Sequence, residues 1–148
     1  MFDIISLEVS DDQKNFVATN LLSLAEAYIA KEERREVFTF GIYDNDKPVG
    51  FLMFGYDNAY WETAPKIAKK QYHLWRLMID KNVQGKGYGK KALKLALQEI
   101  RQFPCGKAEF CWLSYEVNNT VARQLYQKNG FYEIEERDGD EIVAILKL

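Results

Sequence analysis

The stretch that most constrains this chain is Leu74 to Ile100, LWRLMIDKNVQGKGYGKKALKLALQEI. It opens on a compact apolar run (Leu74, Trp75, Leu77, Met78, Ile79) that reads as a buried strand. A polar link, Asp80 to Val83, leads into Gln84-Gly85-Lys86-Gly87-Tyr88-Gly89, with three glycines in five residues. A helix follows, its face carried by Ala92, Leu93, Ala96, Leu97 and Ile100. Strand, glycine-rich turn and helix together present free backbone N–H groups at the positive end of a helix dipole. Such an end accepts phosphate oxygens without help from a side chain. Glycine suits it, because a Cβ would hold the ligand away and some turn positions need positive φ. The stretch is therefore read as a phosphate-binding turn.

A length of 148 residues fits one domain with a real core. The net charge of −2 supplies no basic field for nucleic acid or an anionic membrane. The N-terminal residues have no basic region followed by a long apolar one, so no secretory signal is read. No apolar run approaches the ~20 residues that span a bilayer. Cys105 and Cys111 lack C-x-x-C spacing, and His73 is the single histidine, which disfavours zinc. These features predict a cytosolic protein with reduced thiols, without a metal.

Phe2 to Leu7 is read as a short strand, and Ser10-Asp11-Asp12 as the cap of a helical region reaching about Lys31. The broken period of that region fits one bent helix or two short ones. Val37–Tyr43 and Val49–Tyr56 form a hairpin around Asp44 to Pro48. Ala108–Tyr115 is a buried strand, and Asn118 or Asn119 caps a helix ending at Asn129-Gly130. Two strands, Phe131–Glu136 and Glu141–Leu148, close the chain. This order predicts an α/β (α+β) single domain: a mixed, mostly antiparallel sheet of six to seven strands, helices on both faces, and a central parallel βαβ unit.

Gly87-Tyr88-Gly89-Lys90-Lys91-Ala92 formally matches a dinucleotide fingerprint, but it follows a hairpin rather than opening a βαβ series. A Walker loop fails, since its first glycine falls on Gln84 and Lys91 replaces Ser or Thr. More specific is Gln84-x-x-Gly87-x-Gly89 followed by Asn119-x-x-Ala122-x-x-Leu125-Tyr126 and Asn129-Gly130-Phe131. Here the chain resembles the GNAT superfamily of N-acetyltransferases over its full length. Through Pro48-Val49-Gly50-Phe51 and Arg76 to Gly89 it is similar to bacterial diamine (spermine/spermidine) acetyltransferases.

The resemblance implies acetyl-CoA as co-substrate, with the amides of Gln84, Gly85, Lys86, Gly87, Tyr88, Gly89 and Lys90 on the pyrophosphate. It implies that the Leu77, Met78 and Ile79 backbone bonds the pantetheine arm like an added strand, and that Asn119 contacts that arm or caps its helix. Tyr126 is the expected general acid: a phenol with an ordinary pKa of about 10 keeps its proton for a departing thiolate. The acceptor amine must lose a proton, at roughly 4 kcal/mol near neutrality for a lysine-like amine. Glu116, at a strand end, is the candidate base, with His73 as a second possibility. Glu26, Tyr28 and Trp75 are the candidate acceptor-binding residues. The implied acceptor is a small primary amine such as a polyamine. The resemblance also leaves room for a homodimer, for peptide or antibiotic amines, and for a non-catalytic acyl-CoA sensor.

Overall fold

The computed structural model describes residues 2–148. Its elements are α1 (Phe2–Ile5), α2 (Asn20–Glu32), β1 (Glu36–Asp44), β2 (Lys47–Tyr56), β3 (Tyr72–Ile79), α3 (Tyr88–Ile100), β4 (Phe110–Tyr115), α4 (Thr120–Lys128), β5 (Tyr132–Asp138) and β6 (Glu141–Lys147). The strands form one six-stranded sheet in the order β1-β2-β3-β4-β6-β5. Every neighbouring pair is antiparallel except β3–β4, which is parallel as a βαβ crossover requires.

Strand alternation sorts the core into two layers. Leu52, Phe54, Tyr72, Leu74 and Leu113 face one side, where α3 contributes Leu93, Ala96, Leu97 and Ile100. Phe51, Met53 and Met78 face the other, against Ala27 and Ala30 of α2. Beyond α2 on that second side, Trp112, Val143 and Ile145 are covered by Ala68 and Trp61 of the β2–β3 connection. Helices thus cover both faces, and the apolar face expected for α3 is the one buried.

The N-terminal segment departs from the expected strand. Phe2–Ile5 forms a helical turn, with Ser6 N–H donating to the Phe2 carbonyl at 3.2 Å and Ser6 Oγ to the Asp3 carbonyl at 2.9 Å. Asn20, fully buried, donates its amide to the Ile4 carbonyl at 2.8 Å. These local partners, together with the burial of Ile4, satisfy the segment without a sheet edge. The sheet therefore has six strands. The helical region after it resolves into a short 3-10 turn (Asp11–Gln13) and α2, capped by Thr19.

Two irregularities shape the middle of the sheet. Met53 pairs with Arg76 and Phe54 with Leu74, leaving Trp75 as the extra residue of a bulge in β3. The parallel β3–β4 ladder contains only Tyr72↔Cys111 and His73↔Trp112. Beyond those pairs the two strands run on without a shared ladder, which opens a gap at their C-terminal ends.

Candidate active site

The β3–α3 turn is held by its own side chains. Asp80 is 8% exposed and accepts from the Asn82 amide at 3.0 Å, from Asn82 Nδ2 at 2.9 Å and from the Glu8 amide at 3.1 Å. Burial alone would raise the Asp80 carboxyl; these donors outweigh it and hold the group below the usual carboxylate range. Gln84 spends its side chain locally, donating to the Ile79 carbonyl at 2.9 Å and to Gln13 Oε1 at 2.8 Å. Tyr88 donates its phenol to Asp44 Oδ2 at 2.5 Å, tying α3 to the β1–β2 turn.

What the turn leaves free is backbone. Among the described residues, no group accepts from the amides of Gln84 through Lys90. Gly85 and Gly87 have φ of 77° and 84°, in the left-handed region, and a Cβ at either would meet no described residue within 4 Å beyond its chain neighbours. The glycines therefore serve backbone conformation and close approach from outside, not internal packing. Gly87 is also the N-cap of α3, so the dipole of a 13-residue helix points at the same place. A diphosphate fits this cradle on donor count, sign and access.

A cavity of about 390 Å³ runs from this turn along β3, past Leu77, Met78 and Ile79, to Leu125 and Tyr126 of α4. Gln84, Gly85, Gly87, Tyr88, Gly89 and Lys90 all line it, whereas Lys86 is exposed and outside its wall. A second cavity, of about 690 Å³, opens past the bulge and is walled by Trp61, His73, Trp75, Arg76, Ser114 and Glu141 among others. Phe16, Val17, Leu77, Asn119, Ala122 and Tyr126 border both. The cavities thus meet where β3 and β4 part.

Tyr126 sits at that junction. Its ring stacks on Tyr115 at 6.0 Å between centroids and meets Phe131 edge-on at 5.7 Å. Its residue is 9% exposed, and among the described residues no group bonds its hydroxyl. Burial, reinforced by the Cys111 thiol, pushes its pKa well above that of a free phenol, so it stays a proton donor at neutral pH. Asn119 caps α4, accepting from the Ala122 amide at 3.2 Å, while also lining both cavities.

The remaining candidates separate. Trp75 lines the larger cavity, stacked on His73 at 5.8 Å and on Trp61 at 6.3 Å. Glu26 lines it too, but is paired with Arg76 Nη2 at 3.0 Å. Tyr28 is 66% exposed and Glu116 is exposed, both outside the cavity walls. His73 is 3% exposed and lies flat on Trp112, with ring centroids 3.7 Å apart. Burial, and then Arg76, holds its pKa well below that of a free imidazole, so it is neutral. Two carboxylates not foreseen, Asp138 and Glu141, close the far wall. The signal that could have found them is their placement either side of the two-residue Gly139-Asp140 turn.

Three comparisons bear on this geometry. Residues 4–131 match the model of the acetyltransferase (GNAT) family. A probable spermine N(1)-acetyltransferase of Bacillus subtilis subsp. natto is 34% identical over 130 residues, covering 86% of this chain and 78% of that protein. The spermine/spermidine N(1)-acetyltransferase of Bacillus subtilis strain 168 is 33% identical over the same shares. Among solved structures, the PaiA N-acetyltransferase of Thermoplasma acidophilum in complex with coenzyme A superposes with a TM-score of 0.62 at 19% identity, over 87% of this chain and 72% of that one. AAC(6')-Ib in complex with ribostamycin and coenzyme A superposes with a TM-score of 0.67 at 16% identity, over 86% and 74%. At such identities the structural likeness speaks for the fold alone. The family match spans most of the chain and the free amide cradle suits the co-substrate, acetyl-coenzyme A: the chain belongs to the GNAT family of acetyltransferases.

Proposed function

We propose that this protein transfers an acetyl group to a primary amine of a polyamine, by direct attack in a ternary complex. The observation that carries the reading is the junction at Leu77, Asn119, Ala122 and Tyr126, where a cleft with an amide cradle meets a separate polar cavity. Acetyl-CoA supplies the activated thioester. Gln84 to Lys90 offer amides for its diphosphate, and the Leu77–Ile79 edge offers backbone partners for its arm. The amine enters from the larger cavity, between Trp75 and the Asp138–Glu141 wall. As the amine nitrogen bonds the carbonyl carbon and the carbon–sulfur bond breaks, Tyr126 gives its proton to the sulfur, and the proton that the new amide nitrogen sheds returns the phenolate to the phenol through solvent in the cavity. The two relatives named for spermine and spermidine support the choice of amine. The two free thiols, Cys105 and Cys111, agree with a reducing cytosol.

Thiol release from acetyl-CoA with an amine panel tests the reading. The expected result is turnover with spermine and spermidine above that with peptide N-termini or aminoglycosides. Binding of acetyl-CoA without turnover of any amine would contradict it and favour a sensor module.

A further inference from the structure

Tyr115 and Tyr126 both line the larger cavity and stack on each other at 6.0 Å between centroids, yet their hydroxyls differ. Tyr115, the last residue of β4, is 4% exposed and donates its phenol to Glu133 Oε1 of β5 at 2.7 Å. The Tyr126 hydroxyl has no such partner among the described residues. Glu133 takes further donors from α4. Arg123 places Nε 2.7 Å from Oε1 and Nη2 2.8 Å from Oε2, a fork on both oxygens, and Gln127 Nε2 lies 3.4 Å from Oε1. One carboxylate thus joins the end of β4, the helix that bears Tyr126, and its own strand.

That tether matters because α4 has little else to fix its roll. Of its nine residues only Tyr126 is buried, with Ala122, Arg123 and Leu125 half-buried. Asn119 and Asn129 cap it, but their side chains bond backbone atoms of the helix and do not reach the sheet. Among the described residues, every side-chain hydrogen bond and ion pair from α4 to a strand ends on Glu133. Arg123 and Tyr126 are three apart and so share a face of the helix. Whatever turns Arg123 about the helix axis therefore turns the Tyr126 ring with it. Arg123 and Glu133 keep 41% and 26% of their side chains exposed, so solvent screens their attraction and the pair adds little to folding stability. Its effect is one of direction. The Tyr115 bond lowers the Glu133 carboxyl most, and Arg123 adds to the fall against burial, which keeps the tether charged at neutral pH.

We propose that Glu133 is a positioning residue for the acetyl transfer: through Arg123 and Tyr115 it sets the roll of α4 and the tilt of the tyrosine stack, and so aims the Tyr126 hydroxyl at the departing sulfur. This rests on the acetyltransferase reading above, in which Tyr126 is the proton donor. Glu133 itself lies outside the walls of both cavities, so it acts on the reaction only through its neighbours. A displacement of about an ångström at a reacting group can cost up to about a hundredfold in rate, which is the lever such a tether holds.

The test is a double-mutant cycle of Glu133→Ala against Tyr126→Phe, read as kcat for spermine at saturating acetyl-CoA, together with KM for acetyl-CoA and the melting temperature. In the wild-type background Glu133→Ala should lower kcat about tenfold, with KM for acetyl-CoA held within about twofold. Once the Tyr126 hydroxyl is gone there is nothing left to aim, and the same replacement should lower kcat by less than about twofold. Equal losses in the two backgrounds would assign Glu133 to the fold alone and overturn the proposal, as would an unchanged kcat in the wild-type background. Arg123→Gln cuts the fork from the helix side and leaves the Tyr115–Glu133 bond in place. It should show the same dependence on background, and it carries the test if Glu133→Ala does not fold. A Tyr126→Phe variant with wild-type kcat, or a wild type that turns over no amine, would instead overturn the underlying reading and the positioning role with it.

Discussion

Tyr126→Phe is expected to lower kcat by about a hundredfold or more, the usual scale for a lost general acid, with little change in acetyl-CoA affinity. The replacement removes one oxygen and leaves the ring that stacks on Tyr115 and Phe131. It therefore separates proton donation from packing. Among the described residues the phenol has no competing partner, and its burial keeps it protonated far above neutrality. Steady-state kinetics with saturating amine, alongside calorimetric binding of coenzyme A, measure the two quantities. Equal losses of turnover and cofactor affinity would assign Tyr126 to the core alone.

Gly87→Val is expected to act on the other half of the site, raising KM for acetyl-CoA by about ten- to a hundredfold, as for the loss of one or two charge-assisted amide contacts. At φ of 84° a side chain is strained, and its Cβ points to space where no described residue beyond its chain neighbours lies within 4 Å. The bulk would thus be felt by the ligand more than by the fold. Leaving the αR or β region costs roughly 1–2 kcal/mol for an L-residue, so the melting temperature should drop by a few degrees. Gly89, with φ outside the left-handed region and Ile79 and Leu125 at 3.7 Å, is the contrasting position. An unchanged KM in folded Gly87→Val protein would remove the cradle from the account.

These two sites were legible in the chain to different degrees. The apolar face of α3, the glycine turn and the β1–β2 hairpin announced themselves, because period and turn chemistry are local. The cap by Asn119 was readable from its place ahead of the helix, whereas Tyr126 was singled out by the family resemblance alone, and its place between the two cavities emerged only in the fold. Other features depend on partners distant in sequence. Phe2–Leu7 looked like a strand by composition, yet Asn20 and the hydroxyl and amide of Ser6 hold Phe2–Ile5 as a helical turn. The bulge at Trp75 was invisible to a period of two, and it brings both Trp75 and Arg76 to the larger cavity.

The wall of the larger cavity was the least readable part. Its carboxylates, Asp138 and Glu141, are far from β3 in the sequence and enter only through the β4–β6 and β5–β6 pairings. Glu116, read at a strand end, does follow β4 and is exposed there, and Tyr28, named through the family resemblance, lies on the exposed surface of α2. Glu26 reaches the cavity only to neutralise Arg76. Gln84 and Tyr88 stand where expected, while their side chains brace the turn and leave backbone to face outward.

The account turns on the parting of β3 from β4, with a nucleotide-bearing thiol on one side and an amine on the other. A crystal structure with coenzyme A bound measures this directly. The diphosphate should lie on the amides of residues 84–90, and the sulfur should lie within hydrogen-bond reach of Tyr126 Oη. A diphosphate held anywhere else, or a sulfur directed away from that hydroxyl, would contradict it.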